Sequence, residues 1–197
     1  LTFALLDTNI YLRLAKRIRP LLGTKFGANN YSITILKDVE DEVHRNSSLA
    51  FYYPWFDNPE LATERMAKQI RLSEADKTRL NSAVSILHKS VQNDPRYLTE
   101  GRSPPSKTDC RVLAFSQIRD AVIVTDDMGM HLLAEDFDLP VWHGYQLLEQ
   151  MYLAKIIDEA LIRSIYDALE NNGDMTKTWK LAKHTTFVEI FGEPEPG

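Results

Sequence analysis

Two rhythms of apolar positions alternate along the chain. Residues 2–6 are a short unbroken apolar run closed by Asp7-Thr8-Asn9, which predicts a strand ending in a turn. Residues 8–18 then repeat Ile10, Leu14 and Ile18 on one face, the spacing of a helix. After the punctuation of Asn29-Asn30, residues 31–36 alternate and are β-branched, which predicts the second strand. A helix follows from about Lys37, with Val39 and Val43 on its apolar face. Strand, helix, strand and helix joined by short links imply right-handed βαβ units and a parallel sheet.

Residues 46–105 break this rhythm. An aromatic segment from Phe51 to Pro59 predicts a loop or short element, and 60–71 a helix. Ser73 is placed to cap a helix carrying Leu80, Val84, Leu87 and Val91, closed by Asn93-Asp94-Pro95. Residues 101–105 form a loop with two prolines. The α/β rhythm then resumes. Ser106 caps a helix bearing Val112, Leu113, Ser116 and Gln117. Residues 121–125 form a buried strand ended by Asp126-Asp127, followed by a helix around 129–135 and a short strand at 139–142. Helices over 144–156 and 158–171 follow, the second closed by Asn171-Asn172-Gly173. A short helix, an apolar run at 187–191 and a frayed end at 192–197 complete the chain. The expected fold is α/β: three layers, α/β/α, around a central parallel sheet, with a helical insertion and C-terminal helices. Residues 1–150 are read as one domain holding the insertion at about 46–105, and 151–197 as a helical extension packed on it. No internal repeat or low-complexity segment occurs.

Composition narrows the class. The 197 residues are 44% hydrophobic and 26% charged, which suits a globular domain. No segment is apolar for long enough to span a bilayer, and the opening run lacks a basic flank and cleavage site, so no membrane role is expected. The single Cys110 excludes an internal disulfide and a cysteine-based zinc site and fits a cytoplasmic protein. The net charge of -5 makes the chain no general adhesive for nucleic acid, yet a site made of carboxylates inflates that count.

Two strands end in acids, at Asp7 and at Asp126-Asp127. Ligand sites of open parallel sheets form outside the carboxyl ends of strands, at a topological switch point. Glu42 lies beside Val43 near the buried edge of its helix, and Asp109 sits in a first turn aimed partly inward. Such carboxylates, converging without matching cations, repel one another and call for a metal. Oxygen-only donors favour one or two Mg²⁺ or Mn²⁺ ions. These would polarise a phosphodiester and activate water. Each acid alone has a plain structural role too: Asp7 and Asp127 as helix caps, Asp109 as a partner of its helix dipole, Glu42 as a solvated helix acid. The case rests on the set.

At this point the sequence resembles the PIN-domain family of nucleases, which includes VapC-like toxins. The matching residues are Leu5-Leu6-Asp7-Thr8-Asn9, Ile33-Thr34-Ile35 followed by Val39 to Val43, Ser106 to Ala114, and Val122 to Asp127, with Leu133-Ala134-Glu135 and Leu139-Pro140-Val141 after them. The likeness covers 2–45 and 106–150; the segment between is longer than in compact toxins of the family. The resemblance implies a divalent-metal endoribonuclease acting on RNA through Asp7, Glu42, Asp109 and Asp127. Asp126 would assist as a fifth metal ligand, and Thr8, Asn9 and Thr125 would orient carboxylates and waters. A VapC-like protein would pair with an antitoxin and form a homodimer. A PIN-like module that binds RNA or protein without catalysis is the alternative, and a metal phosphatase acting on small esters is a third reading.

Other features allow two readings. Arg13, Lys16, Arg17 and Arg19 could grip RNA phosphates, or form a solvated helix face, which is the more common case. The cluster from Phe51 to Phe56 could stack on bases, although packing against the core or a partner is favoured. The five histidines show no ligand-like spacing and none is read as catalytic. Cys110, Trp142 and Trp179 read as packing residues. No phosphate-binding glycine loop occurs, and the Asp two positions after the first that a haloacid-dehalogenase-type phosphatase needs is replaced by Asn9.

Overall fold

A computed structural model describes residues 1–101 and 103–194. Arg102, within the expected proline loop, and residues 195–197 of the expected frayed end lie outside the described residues. The sheet has five strands: β1 (Thr2–Leu6), β2 (Lys25–Phe26), β3 (Tyr31–Thr34), β4 (Ala121–Val124) and β5 (Val141–Trp142), in the order β2-β3-β1-β4-β5. β1 runs parallel to β3 and to β4, and β4 parallel to β5. Ala4, Leu5 and Leu6 are fully buried in succession, as is the whole of β4 nearly so. Neighbouring strand residues face opposite ways, so such runs require cover on both faces. Helices supply it, giving three layers, α/β/α.

The helices of the first half are α1 (Thr8–Leu14), α2 (Lys37–Arg45), α3 (Ser47–Tyr52), α4 (Pro59–Lys68) and α5 (Glu74–Asn93). Those of the second are α6 (Lys107–Ala114), α7 (Met128–Asp136), α8 (Gly144–Leu153), α9 (Glu159–Asn171), α10 (Lys177–Lys183) and α11 (Val188–Phe191). Caps foreseen at Ser73 and Ser106 are present, the second as a reciprocal capping box with Asp109. Three details add to or adjust the expected elements. The sheet is not wholly parallel: β2 pairs antiparallel with β3 through the turn at 27–30, where Asn30 takes a positive φ of 53°. The first helix stops at Leu14 and not at 18, because the chain turns ahead of Pro20 and sends Ile18, Leu21 and Leu22 into the core. The apolar run at 187–191 ends as the short helix α11.

The segment 46–105 is stitched back onto the α/β core. Glu64 of α4 accepts from the backbone N–H groups of Leu21 (2.9 Å) and Leu22 (2.6 Å). Beyond α4, Ile70 donates to the Ile35 carbonyl at 3.0 Å, and Thr34 Oγ1 reaches the Lys68 carbonyl at 3.0 Å. Arg65 anchors the segment. Its guanidinium is fully buried, 3.7 Å from the centroid of the Phe56 ring, and donates to the Phe56 carbonyl at 2.7 Å and to Glu40 at 3.2 Å. A buried charge is tolerated only with such partners. Arg65→Ala removes them together and leaves Glu40 unpaired. We expect a loss of about 2–4 kcal/mol in urea unfolding, with little recovery in Arg65→Lys, which lacks the planar fork. A loss below about 1 kcal/mol would show that the anchor is dispensable.

Candidate active site

β1 is the central strand, with β3 on one side and β4 on the other, so the chain's direction across the sheet reverses there. The carboxyl ends of these parallel strands lie together. The Asp7 N–H donates to the Val124 carbonyl at 3.0 Å, which sets Asp7 directly beside the residues that follow β4.

Asp7 is only 4% exposed. One carboxylate oxygen caps α1 by accepting from the Ile10 N–H at 2.7 Å, and the other accepts from Thr125 Oγ1 at 2.5 Å. Thr125, fully buried, also accepts from the Asp127 N–H at 3.1 Å, so one hydroxyl connects the two strand ends and the first turn beyond β4. Asp127 caps α7 through the Met130 N–H at 2.8 Å. Thr8, next along from Asp7, donates to Glu42 on α2. Asp109 sits in its capping box, accepting from the Ser106 N–H at 2.7 Å. Asp7 and Asp127 thus each cap a helix, and each stands at the end of the sheet.

The acids interact electrostatically. Burial raises the Asp7 carboxyl to about 7, against the pull of Thr125 and Ile10 and with the help of the charges on Asp126 and Asp109. Burial likewise raises Asp109, reinforced by the charges on Glu42 and Asp127. Yet among the described residues no three His, Cys, Asp or Glu side chains converge closely enough to form a metal cage. The donor set is all oxygen and mutually repelling. It fits an ion held by one or two carboxylates that keeps its waters, the habit of Mg²⁺, and not a closed set of protein ligands.

Asp126 departs from its expected place. Its Oδ1 accepts from the Gly144 N–H at 2.9 Å, and its Oδ2 accepts from Trp179 Nε1 at 2.7 Å and from Arg13. His143 Nδ1 lies 3.6 Å from Oδ1. Burial pushes this carboxyl up, but His143, Gly144, Arg13 and Trp179 outweigh burial and hold it below the usual carboxylate range. Extended backbone alternates, so the Thr125 side chain faces Asp7 while that of Asp126 faces α1, α8 and α10. That alternation was the signal in the sequence. The partners were not legible, because Gly144 and Trp179 are distant in the chain. Trp179, read as packing, is both fully buried and a hydrogen-bond donor.

The remaining expected residues divide. Arg13 is an internal partner of Asp126, neither a solvated residue nor a free phosphate ligand. Asn9, Arg13 and Arg17 line a cleft outside the acid set, and Lys16 is exposed. The histidines were read as uninvolved, but two lie beside this cluster. His131 and His143 stack with ring centroids 3.8 Å apart, and His131 Nε2 donates to the Thr125 carbonyl at 2.8 Å. Burial holds His131 below its ordinary value.

No family model matches the chain, and no curated protein matches it. Among solved structures it is similar to the crystal structure of FitAcB from Neisseria gonorrhoeae. The identity is 12% and the TM-score 0.41, over 72% of this chain and 98% of that one. A likeness at that level carries no residue's role from one protein to the other.

Two outcomes follow from this geometry. A raised carboxyl stabilises the fold only while protonated: its contribution is complete below the unfolded value near 3.8 and is lost as pH rises through about 7. Without added metal, Asp7→Asn should match wild type at pH 4 and exceed it at pH 8, by up to about 4 kcal/mol in denaturant unfolding. Equal stability of the two proteins at pH 8 would contradict the burial penalty. At Gly144, an added Cβ would lie 2.7 Å from Ile10 Cδ1 and 2.9 Å from Trp179 Cζ2. Gly144→Ala should therefore cost about 1–3 kcal/mol by overpacking, read from the urea midpoint. A neutral result would mean that the Asp126 cradle has room to relax.

Proposed function

We propose that the chain is a divalent-metal-dependent endoribonuclease, with Asp7, Glu42, Asp109 and Asp127 as the acids that hold Mg²⁺ or Mn²⁺. The observation that carries the reading is Asp7 itself. It is a buried carboxylate, raised to about 7, at the switch point of a parallel sheet, with Asp109 near enough for the two charges to repel. Among the described residues no arginine or lysine is hydrogen-bonded to it, and a carboxylate so held gains stability from a bound cation.

The chain's own residues have separate tasks. Thr125 fixes the rotamer of Asp7 through its hydroxyl, and Thr8 does the same for Glu42. The Ile10 N–H and the Thr125 hydroxyl occupy one oxygen each of Asp7, so its remaining lone pairs are those available to an ion. When bound, such an ion polarises the phosphodiester and lowers the pKa of water. Asp126, bound to Arg13, Gly144 and Trp179, is a positioning residue in this scheme and not a ligand. Through Gly144 and Trp179 it fastens α8 and α10 to the end of β4.

A role as the toxin of a toxin–antitoxin pair rests on the motif resemblance alone. No helix among the described residues is long and apolar enough to cross a membrane. The second reading, a PIN-like module that binds without catalysis, is favoured by the absence of a three-ligand cage among the described residues.

Cleavage of a labelled single-stranded RNA with Mn²⁺, with Mg²⁺ and with chelator separates the two. Wild type should cut only with metal, and Asp7→Asn should lose more than about a hundredfold in rate while remaining folded. Undiminished cleavage by the variant would overturn the mechanism. No cleavage by either protein, together with no Mn²⁺ binding by calorimetry, would favour the non-catalytic reading.

A further inference from the structure

Beside the acids, α1 and α9 enclose a cleft of about 250 Å³. Small-molecule sites run at roughly 300–1,000 Å³, so this volume suits one unit of a longer ligand. Asn9 lies at its edge, two residues from Asp7, and Arg13, Arg17, Tyr53, Asn172 and Asp174 supply its polar lining. Arg13 is held by Asp126, and Arg17 donates to the Arg13 carbonyl at 3.2 Å, its only hydrogen bond among the described residues. Among the described residues no carboxylate pairs with Arg17 or with the exposed Lys16 one position earlier.

Tyr53 carries the chain from this cleft to two aromatic rings at the end of α3. Phe51 is 79% exposed and Tyr52 72% exposed, with ring centroids 5.5 Å apart at 78°. The same aromatic segment supplies a core residue: Phe56 is 1% exposed, under Arg65 and against Tyr11. Packing therefore accounts for Phe56 and leaves Phe51 and Tyr52 without a structural task. Two adjacent solvent-facing rings, joined through Tyr53 to a cleft lined by Arg17 and by Asn9, two residues from Asp7, match the chemistry of an unpaired nucleotide strand. Such strands are held by cations along the phosphates and by aromatic rings against the bases.

We propose that Arg17 and the cleft hold a phosphate of a single-stranded RNA and that Phe51 and Tyr52 stack on its unpaired bases. This track feeds the strand past Asn9 to the acids. Charge complementarity selects the occupant: a polyanion answers Lys16 and Arg17, and a base face answers the rings. A duplex, whose bases are already stacked, gains nothing from Phe51 and Tyr52. The proposal rests on the ribonuclease reading only for what happens at the end of the track; binding does not require it.

The test is therefore a binding measurement in chelator, where nothing is cut. Fluorescence anisotropy of a labelled single-stranded RNA and of the same sequence as a duplex is recorded for wild type, Phe51→Ala with Tyr52→Ala, Arg17→Gln and Asp7→Asn. The single strand should bind wild type more tightly than the duplex does. The aromatic double variant should lose at least roughly fivefold for the single strand and little for the duplex. Arg17→Gln should lower the salt dependence by about one phosphate contact. Phe51 and Tyr52 are exposed and Arg17 is half-buried, so circular dichroism and a urea midpoint check that each variant is folded. Unchanged single-strand affinity in both track variants overturns the proposal. So does a change of oligomeric state in the aromatic variant with RNA affinity intact, which would make the rings a surface between copies of the chain. Loss of cleavage in Asp7→Asn with neutral track variants sinks the track and leaves the nuclease. Weakened binding in the track variants with full cleavage in Asp7→Asn does the reverse.

Discussion

The hydrogen bond from Thr125 to Asp7 joins the ends of the two central strands, and the arrangement of the site depends on it. Asp7 is buried where a free carboxylate would be costly. Its stability there relies on two donors, one hydroxyl from the end of β4 and one backbone N–H from the first turn of α1. The same hydroxyl accepts from Asp127, so a single side chain fixes the spacing between the acid after β1 and the acids after β4. The pairing of Leu6 with Val124 sets this contact in register. A slip of one residue would turn Thr125 to the opposite face and leave Asp7 without its partner.

Around that bond the polar residues divide into two groups on opposite sides of the β4 end. On one side stand Asp7, Glu42, Asp109 and Asp127: burial raises Asp7 and Asp109, and the charges of Glu42 and Asp127 add to the rise at Asp109. On the other, Asp126 is stabilised as an anion by Arg13, Trp179 and the Gly144 N–H. The first group is under-compensated and would gain from a cation. The second is already compensated and fastens α1, α8 and α10 to the sheet. Gly144 permits this because its missing Cβ leaves room for Ile10 and Trp179 to meet at Asp126.

What the sequence made legible follows from the range of the forces involved. β1 and β4 are runs of apolar residues, and helix caps such as Ser73 and Ser106 act within four residues, so both could be read locally. β2 could not: two residues, Lys25 and Phe26, carry no periodicity, and only the turn before β3 makes them a strand. The early end of α1 required knowing that Leu21 and Leu22 are drawn down by Glu64, more than forty positions away. Asp7, Glu42, Asp109 and Asp127 could be singled out from strand ends and helix faces. The separate duty of Asp126 depended on Trp179, fifty-three positions on. The aromatic segment divided at the level of single rings, Phe56 inward and Phe51 outward, because α3 and the turn after it present different faces to the core.

The central claim is that the buried, mutually repelling acids at the sheet's switch point hold a divalent ion. Anomalous diffraction from crystals soaked in Mn²⁺ tests it without reference to any substrate. A peak within ligand distance of the Asp7 carboxylate and of at least one of Glu42, Asp109 and Asp127 is the predicted result. Manganese bound elsewhere, with no peak at Asp7, would contradict it.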